Sequence, residues 1–279
     1  MKHRESRVRP GLDDKVLTSW NALMITGYID AYTALGHQEY LNTAIRNAEF
    51  IIDNQIETDG RIHRNYKNGK ASINGFLDDY ALTINAMIKL YQATFDIKWI
   101  DQAIALSDYC TAHFFNQDTK MYNYTSDLDP PLIAKKAEYA DNVIPSSNSA
   151  MARSLFMIGT LTYNKDYTEK AQQMLNNMIP QLEDNSYLSF YSNWYQLLLD
   201  QIKPPYEIAI IGKDAQKIRN ELSKNYLANS LLLGSQGEEN MQLLKEKNQE
   251  DQTTIYVCQN KACKLPVTEV DRALELITP

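Results

Sequence analysis

The sequence of 279 residues predicts a mainly α fold of stacked helical hairpins, followed by a small α/β unit. Apolar residues recur at helical spacing from Leu17 to about Asp200, and polar segments that lead into apolar helices recur at a regular interval. After Lys203 the composition becomes strand-like. We therefore assign residues 1–203 to a partial ring of about seven helices and residues 204–279 to a second, smaller unit.

Seven helices and no strands are predicted between Leu17 and Asp200. In each pair of consecutive helices, the second has one apolar stripe and one polar face, which is typical of a surface helix. The first helix of each pair is apolar nearly all round, so we expect it to be buried. The predicted helices span residues 18–35, 38–54, 75–95, 97–115, 147–163, 166–180 and 185–200.

A polar segment leading into a buried helix recurs about every 64 residues, as marked by Asp14, Asp79 and Asn142. One period corresponds to one helical hairpin. If the hairpins stack side by side, every buried helix runs the same way and the N-termini of these helices collect at one end. Their unpaired N–H groups and positive dipole ends would surround a polar mouth that stabilises carboxylates and polar ligands.

The smaller unit contains alternating strand and helix patterns. YEIAIIG at 206–212, SLLLGS and TTIYVCQN at 253–260 are strand-like, and DAQKIRNELSKNY has the pattern of an amphipathic helix. A single glycine follows the first strand, without the GxGxxG spacing of a dinucleotide site. We predict an ordinary strand-to-helix turn there and no cofactor.

Composition and charge exclude several classes of protein. A net charge of -7 with scattered Lys and Arg argues against a nucleic-acid partner, and no apolar run approaches the length of a membrane span. No membrane association and a cytoplasmic location are therefore expected. Three cysteines are too few for a disulfide scaffold, so reduced thiols are expected. For Cys258 and Cys263 we expect two packed thiols, with metal binding and a disulfide as alternatives.

Five segments resemble, in their order and spacing, the C-terminal half of the spermatogenesis-associated protein 20 family. They are LDDKVLTSWNALM, DGRIHRNYKNGKA, GFLDDYA, DNVIPSSNS and YVCQNKACKLPVT. In that family a thioredoxin-like domain precedes a helical toroid. The resemblance implies an (α/α)6-type toroid similar to N-acylglucosamine 2-epimerases and six-hairpin glycosidases, followed by a small α/β tail. It also implies carbohydrate-related chemistry.

Two departures from the family pattern affect what is expected. The chain begins near the LDDK segment, so seven helices cannot close the full ring of the resembled fold. An open arc exposes the apolar sides of its end helices, which predicts a homo-oligomer or a partner that completes the toroid. Ser147 stands where the family pattern usually has glycine, which affects the expected backbone geometry there.

Adjacent acids at Asp78 and Asp79 open an otherwise apolar helix. Acidic side chains in a first helical turn can simply interact favourably with the unpaired N–H groups of that turn. Alternatively, at least one of them faces the polar mouth as a general acid, a general base or a sugar ligand. Acid–base chemistry on a sugar requires two carboxyls in different environments. The catalytic candidates are therefore Asp14, Asp79 and Asp141, which lie in three consecutive repeats.

Six residues are candidate ligand contacts at the same mouth. Trp20 is either a core anchor or a stacking platform for a sugar ring. Arg64 either binds an acidic sugar or forms an ion pair with Asp79. An epimerase would require a histidine base, and only His63 lies in a plausible mouth loop, which weakens the epimerase hypothesis. The six candidates are Trp20, Asn21, Arg64, Asp78, Tyr80 and Asn148.

Three classes of function remain open from the sequence. The first is a glycosidase-like or epimerase-like enzyme that acts on a carbohydrate through carboxylates. The second is a non-catalytic sugar-binding or scaffold module. The third is a redox accessory protein, related to thioredoxin-domain proteins, which would need a partner domain because this chain has no CxxC.

Overall fold

The computed structural model describes residues 2–130, 133–227, 229–236, 241–245, 247 and 252–277. An arc of helical hairpins is followed by a four-stranded sheet with two α-helices. The predicted fold class, mainly α with a small strand-containing C-terminal region, is confirmed.

All the predicted helices are present, each within a few residues of its expected ends. The last of them begins as a 3-10 helix at Asn185–Tyr191 and continues as an α-helix. The helices before residue 203 are α1 (Lys2–Glu5), which precedes the arc, and α2 (Thr18–Leu35), α3 (Gln38–Gln55), α4 (Leu77–Thr94), α5 (Ile97–His113), α6 (Ser147–Thr162), α7 (Lys165–Glu183) and α8 (Ser192–Ile202), which form it.

Hairpins pair α2 with α3, α4 with α5 and α6 with α7, and α4 packs between α2 and α6. Polar side chains start several of these helices: Asp96, Ser146 and Asn164 accept hydrogen bonds from first-turn N–H groups of α5, α6 and α7. Gly36, with φ of 75°, ends α2 in the left-handed conformation. Because α2 contacts α4, α4 contacts α6 and α6 contacts α8, these four helices form the inner layer of the arc.

The starts of the inner helices lie at one end of the arc, as predicted. Leu77 N–H donates to the carbonyl of Tyr124 (2.9 Å), and Tyr122 N–H donates to Asn148 Oδ1 (2.9 Å). The segment 122–124 thereby links the start of α4 to the start of α6. Carboxylates make the corresponding links between α2 and α4 and between α6 and α8.

The prediction of no strands in the helical part is wrong. β1 (Val16–Leu17), β2 (His63–Lys67) and β3 (Lys70–Asn74) form an antiparallel sheet, and β4 (Phe115–Asn116) pairs with β5 (Met121–Tyr122). Asn68 and Gly69, with φ of 52° and 75°, make the turn between β2 and β3. An Asn-Gly pair between two short runs is a strong hairpin signal that the helix-based interpretation overlooked.

The C-terminal unit contains β6 (Tyr206–Ile211), α9 (Ala215–Leu222), β7 (Ser230–Ser235), β8 (Thr254–Gln259), β9 (Ala262–Cys263) and α10 (Val270–Ile277). Its sheet has the strand order β7-β6-β8-β9. β6 and β7 are parallel, and α9 lies between them in the chain, as the sequence pattern predicts. Successive side chains of a strand point to opposite faces: Ala209 and Ile211 join the core of the helical arc, whereas Ile208 and Ile210 pack with α9 and α10.

The sheet unit docks against the C-terminal end of α4. Gln216 Nε2 donates to the carbonyl of Ala93 (2.8 Å), and Leu232 N–H donates to Gln92 Oε1 (3.0 Å). Because the helices and one face of the sheet share a single apolar core, the two parts are packed together. The division at residue 203 stays a prediction.

Cys258 and Cys263 form a disulfide between β8 and β9, so the expectation of reduced thiols is wrong for this pair. The two residues are directly paired across the strands, which places their side chains on the same face. The remaining cysteine, Cys110, is buried.

Exposed apolar side chains lie on the two end helices of the arc, so α2 is less buried than the sequence predicts. They are Trp20, Met24 and Leu35 on α2 and Leu199 and Ile202 on α8. The oligomer or partner that would cover them stays a prediction. Within the described ranges, no helix is long and apolar enough to cross a membrane.

Candidate functional site

Asp79 lies in the first turn of α4 and is fully buried. Its Oδ1 accepts a hydrogen bond from Ser19 N–H at the start of α2 (3.1 Å). Its Oδ2 accepts from Phe76 N–H (3.0 Å) and from Arg64 Nη1 on β2 (2.8 Å). One carboxylate thus joins the starts of two inner helices to the β2–β3 hairpin.

Burial and, to a smaller extent, the neighbouring charge of Asp78 together raise the pKa of Asp79 to about 6, against the opposing effect of Arg64. Burial disfavours the charged guanidinium of Arg64, but the two carboxylates outweigh burial and raise its pKa. A carboxyl with a pKa near neutrality could exchange protons. Both oxygens of Asp79, however, already accept hydrogen bonds inside the protein, which favours a structural role.

Asp78 completes this cluster at its outer edge. Its Oδ1 and Oδ2 lie 3.1 and 3.4 Å from Arg64 Nη1. The guanidinium stacks on Phe76, with Cζ 4.8 Å from the ring centroid. Burial, followed by the charge of Asp78, raises the pKa of Tyr124. The side chains of Arg64 and Asp78 keep 22% and 6% of their surface exposed, so only this edge of the cluster is accessible to solvent.

Asp141 occupies an equivalent place at the other side of the arc. Its Oδ1 accepts hydrogen bonds from Ser146 N–H and Ser149 Oγ (both 2.9 Å) at the start of α6. Its Oδ2 accepts from Asn193 N–H (2.9 Å) and Ser192 Oγ (3.3 Å) at the start of α8. With four donors on one buried carboxylate, Asp141 links two helix starts and lies in a separate cluster from Asp79.

Asn148 is buried, and both polar atoms of its side-chain amide make hydrogen bonds. Its side-chain amide donates to the carbonyls of Tyr122 (2.9 Å) and Glu138 (3.0 Å), and its Oδ1 accepts from Tyr122 N–H. The predicted role as a ligand contact does not fit this position, because every polar atom of the amide is used to hold the segment before α6.

Asp14 lies at the surface and Tyr80 in the core. Asp14 is exposed before β1 and forms an ion pair with Lys67, which lowers the pKa of its carboxyl. Tyr80 is fully buried, its hydroxyl accepts a hydrogen bond from Ile62 N–H (2.8 Å), and its ring stacks on Tyr109 at 5.4 Å. Asp14 therefore pairs with Lys67 and shares none of the contacts that the structure describes for Asp79, and Tyr80 is a core residue.

The remaining sequence candidates lie on α2 and β2. Trp20 is 64% exposed, so it is not the core anchor that was one of its two interpretations. Asn21 Nδ2 donates to the carbonyl of Leu17 (2.8 Å), which places this amide at the start of α2. His63 hydrogen-bonds Glu57 through Nε2 (2.8 Å).

A cleft of about 1130 Å³ lies along the middle and C-terminal halves of the inner helices. Residues of α9, β7 and the segment between them form its floor, because the sheet unit closes this end of the arc. None of the nine site residues predicted from the sequence lines this cleft or the two smaller cavities described, of about 620 and 440 Å³. The pocket therefore lies further along the inner helices than the sequence-based mouth.

Charged residues of the inner helices converge on this cleft. α2, α6 and α8 each contain a single charged residue, and α4 contains one beyond its first turn. All four line the cleft. They are Asp30 on α2, Lys89 on α4, Arg153 on α6 and Asp200 on α8.

An acidic and a basic residue lie near each other on α2 and α4, and again on α6 and α8. Lys89 Nζ lies 2.6 and 2.8 Å from the two carboxylate oxygens of Asp30. Burial raises the pKa of Asp200 and lowers that of Arg153, and each charge partly offsets the effect of burial on the other. Arg153 Nη1 also donates to Asn193 Oδ1 (3.2 Å). The cleft thus presents carboxylate and cationic donor groups together.

These four residues were not among those predicted from the sequence, although the sequence contains a signal for them. An isolated charge inside an otherwise apolar helix is costly to bury unless it is paired or faces a cavity. Lys89 in TINAMIKLY and Arg153 in SAMARSLFM are such charges. Within the described residues, no group of three or more His, Cys, Asp or Glu side chains is arranged to hold a metal ion.

Comparison with known proteins agrees with the resemblance seen in the five segments. No family model matches the chain. It is 26% identical to spermatogenesis-associated protein 20 of Homo sapiens over 297 residues, covering 99% of this chain and 38% of the human protein. The Rattus norvegicus protein of the same name is 25% identical, over 95% of this chain and 36% of its own length.

The chain is similar to spermatogenesis-associated protein 20 over nearly all of its length. This confirms the resemblance. The chain spans less than two fifths of the length of these relatives.

Solved structures with a similar fold include a glycoside hydrolase, a sugar isomerase and a sugar epimerase. A GH76 α-mannanase of Bacteroides thetaiotaomicron superposes with a TM-score of 0.56 at 16% identity, over 83% of this chain and 66% of that one. A D-mannose isomerase matches with a TM-score of 0.53 at 15% identity, over 75% and 58%. A cellobiose 2-epimerase of Bacillus thermoamylovorans matches with a TM-score of 0.53 at 13% identity, over 64% and 49%. At these identities the similarity establishes the helical-toroid fold alone.

Proposed function

We propose that this chain binds a carbohydrate in the cleft along α2, α4, α6 and α8. One observation carries the proposal: the isolated charges of all four inner helices line the same cavity. Lys89, Arg153 and Asp200 are half-buried. Half-buried charges are costly, and their convergence on one cavity is typical of a ligand site. The fold shared with glycosidases and sugar epimerases supports the same choice of ligand class.

The chemistry of the cleft suits a sugar. Carboxylates accept hydrogen bonds from hydroxyl groups, and Lys, Arg and Gln side chains donate to hydroxyl and ring oxygens. Asp30, Asp200 and Gln196 provide such groups on opposite walls. Phe156 and the exposed Tyr226 add aromatic surface on which a sugar ring can stack.

Binding is proposed rather than hydrolysis by the predicted carboxylates. Both carboxylate oxygens of Asp79 and of Asp141 already accept hydrogen bonds from other groups of the protein. Asp14 lies at the surface. Hydrolysis of a glycoside requires two carboxyls that face one substrate, about 5 to 9.5 Å apart according to the mechanism. These three side chains do not support such a pair, so the non-catalytic class of function is favoured.

Titration calorimetry and thermal unfolding with mono- and disaccharides test the proposal. A sugar present at about 100 times its Kd should stabilise the fold by about 2.7 kcal/mol and raise Tm by about 5 to 10 °C. Asp200→Asn should weaken binding about tenfold, because a charge-assisted hydrogen bond is lost.

Gln196→Ala is a second, gentler variant, since this exposed side chain lines the cleft on α8 and should reduce affinity severalfold. The matched control is Gln173→Ala on the exposed face of α7, which should bind as the unchanged protein does. Equal affinity in Asp200→Asn, Gln196→Ala and the control would place the sugar elsewhere. No binding of any sugar by a folded sample would reject the proposal.

A further inference from the structure

The inner-helix cleft is basic, although the protein as a whole is acidic. Five basic and two acidic side chains line it, whereas the chain contains 28 basic and 35 acidic residues. Asp30 and Asp200 therefore balance only part of the positive charge. A concave surface lined by one sign of charge focuses the field and concentrates ligands of the opposite sign.

Arg219 on α9 is the clearest unbalanced charge. It is buried, and its guanidinium donates to three neutral oxygens: the Gln92 carbonyl (3.1 Å), Thr33 Oγ1 (3.2 Å) and Asn220 Oδ1 (3.3 Å). It stacks on Tyr32 at 5.3 Å, and burial lowers its pKa. It forms no ion pair with any carboxylate that the structure describes. Because a buried charge is costly without a counter-charge, an anion in the cleft would stabilise the positive charge of Arg219.

Arg153 on α6 adds a second guanidinium, which is half-buried. Its Nε is buried and has no hydrogen-bond partner among the described residues, and its Nη1 donates to Asn193 (3.2 Å). Two further cations, Lys203 and Lys224, are exposed at the rim. Guanidinium groups match carboxylate and phosphate oxygens in a fork geometry, so these residues suit an anionic group better than a neutral hydroxyl.

We propose that the carbohydrate of this cleft is an anionic sugar, one that carries a carboxylate or a phosphate. This inference rests on the proposed function and narrows its ligand class. The anionic group is held by the positive charge of Arg219, Arg153 and the rim lysines, and the sugar hydroxyls are held by Asp30 and Asp200. A neutral sugar would provide no counter-charge for the excess positive charge of the cleft.

Calorimetry with matched ligands tests this proposal. Glucose, glucuronate and glucose 6-phosphate, and the corresponding galactose and mannose series, differ only in the anionic group. At least one anionic sugar should bind more than about tenfold more tightly than its neutral parent, since hydrogen bonds between charged partners are about twice as strong as neutral ones. Its affinity should fall on addition of salt. Comparison of the uronate and phosphate series distinguishes the two anionic groups.

Variants of cleft residues test whether the anionic sugar binds in the cleft. Arg153→Gln should weaken the anionic sugar about tenfold and leave the neutral sugar nearly unchanged. Should Arg153→Gln fail to fold, the doubly substituted Lys203→Gln/Lys224→Gln protein provides the test, because both side chains are exposed. Lys217→Gln, an exposed cation on α9 that does not line the cleft, is the matched control and should keep full affinity.

The outcomes separate this inference from the proposed function. Equal affinity for neutral and anionic sugars would overturn the anionic assignment and keep the carbohydrate site. Tight binding of inorganic phosphate without any gain from the sugar would overturn the carbohydrate part of the assignment. Unchanged anionic binding in all cleft variants would overturn its location, and no binding of any sugar or anion would overturn both proposals.

Discussion

Replacing Arg64 with methionine is expected to lower the free energy of unfolding by about 3 to 5 kcal/mol at about pH 7.5 and by clearly less at about pH 5. The change leaves Asp79, fully buried, and Asp78, nearly buried, without their shared cation. Removing one partner of a buried ion pair is costly because the other charge stays buried.

The pH dependence follows from the pKa of Asp79, which burial raises to about 6 from its usual 3.8. Between these values the folded protein binds the proton more tightly than the unfolded chain, so the contribution of Asp79 to stability falls as the pH rises through this window. The full shift corresponds to about 3 kcal/mol. Without Arg64 the pKa rises further, so protonation at lower pH relieves more of the damage.

Urea unfolding of both proteins across this pH range measures the difference directly. Lys70→Met, an exposed cation on the same β2–β3 hairpin, is the matched control and should change stability by less than about 0.5 kcal/mol. A small loss for Arg64→Met that does not depend on pH would contradict the account of this cluster.

Asp141→Ala is expected to cost about 3 kcal/mol or more, because one buried carboxylate accepts four hydrogen bonds and such bonds to a charged group contribute about 1.5 to 3 kcal/mol each. The donors lie at the starts of α6 and α8, so the two helix ends would both lose their acceptor.

The neighbouring Asn142 provides the control, since it is exposed and Asn142→Ala removes a side chain of similar size. Thermal and urea unfolding should show a large loss for Asp141→Ala and almost none for Asn142→Ala. Sugar binding by folded Asp141→Ala should persist, because this residue does not line the cleft. Equal stability of the two variants, or loss of binding in a folded Asp141→Ala protein, would contradict the structural role of Asp141.

Much of the helical arc could be predicted because its signals are local. Apolar spacing indicated each helix, and capping residues such as Ser146 and Asn164 mark where helices begin. The spacing of about 64 residues correctly predicted that the starts of the inner helices lie together. The β2–β3 hairpin was missed because an Asn-Gly turn was not weighed against the helical pattern around it.

The candidate site was harder to predict because it depends on which face of each inner helix points into the arc. Periodicity reveals that α4 is apolar nearly all round, but it does not identify the neighbours of Asp78 and Asp79. Asp79 links the starts of α2 and α4, and Asp78 pairs with Arg64, while the isolated Lys89 and Arg153 line the cleft. The role of Arg219 depends on docking of the sheet unit, which brings together residues more than 120 positions apart in the chain.

The location of the sugar is tested most directly by NMR of methionine methyl groups during titration with the tightest-binding sugar. Met157 on α6 lines the cleft, Met24 is exposed near the start of α2, and Met241 lines the separate 620 Å³ cavity. If the sugar binds in the inner-helix cleft, we expect the chemical shift of the Met157 methyl group, assigned with Met157→Leu, to change. The chemical shifts of Met24 and Met241 should stay the same. A shift of Met24 with an unchanged Met157 would place the ligand at the inner-helix starts and contradict the inner-helix cleft as the binding site.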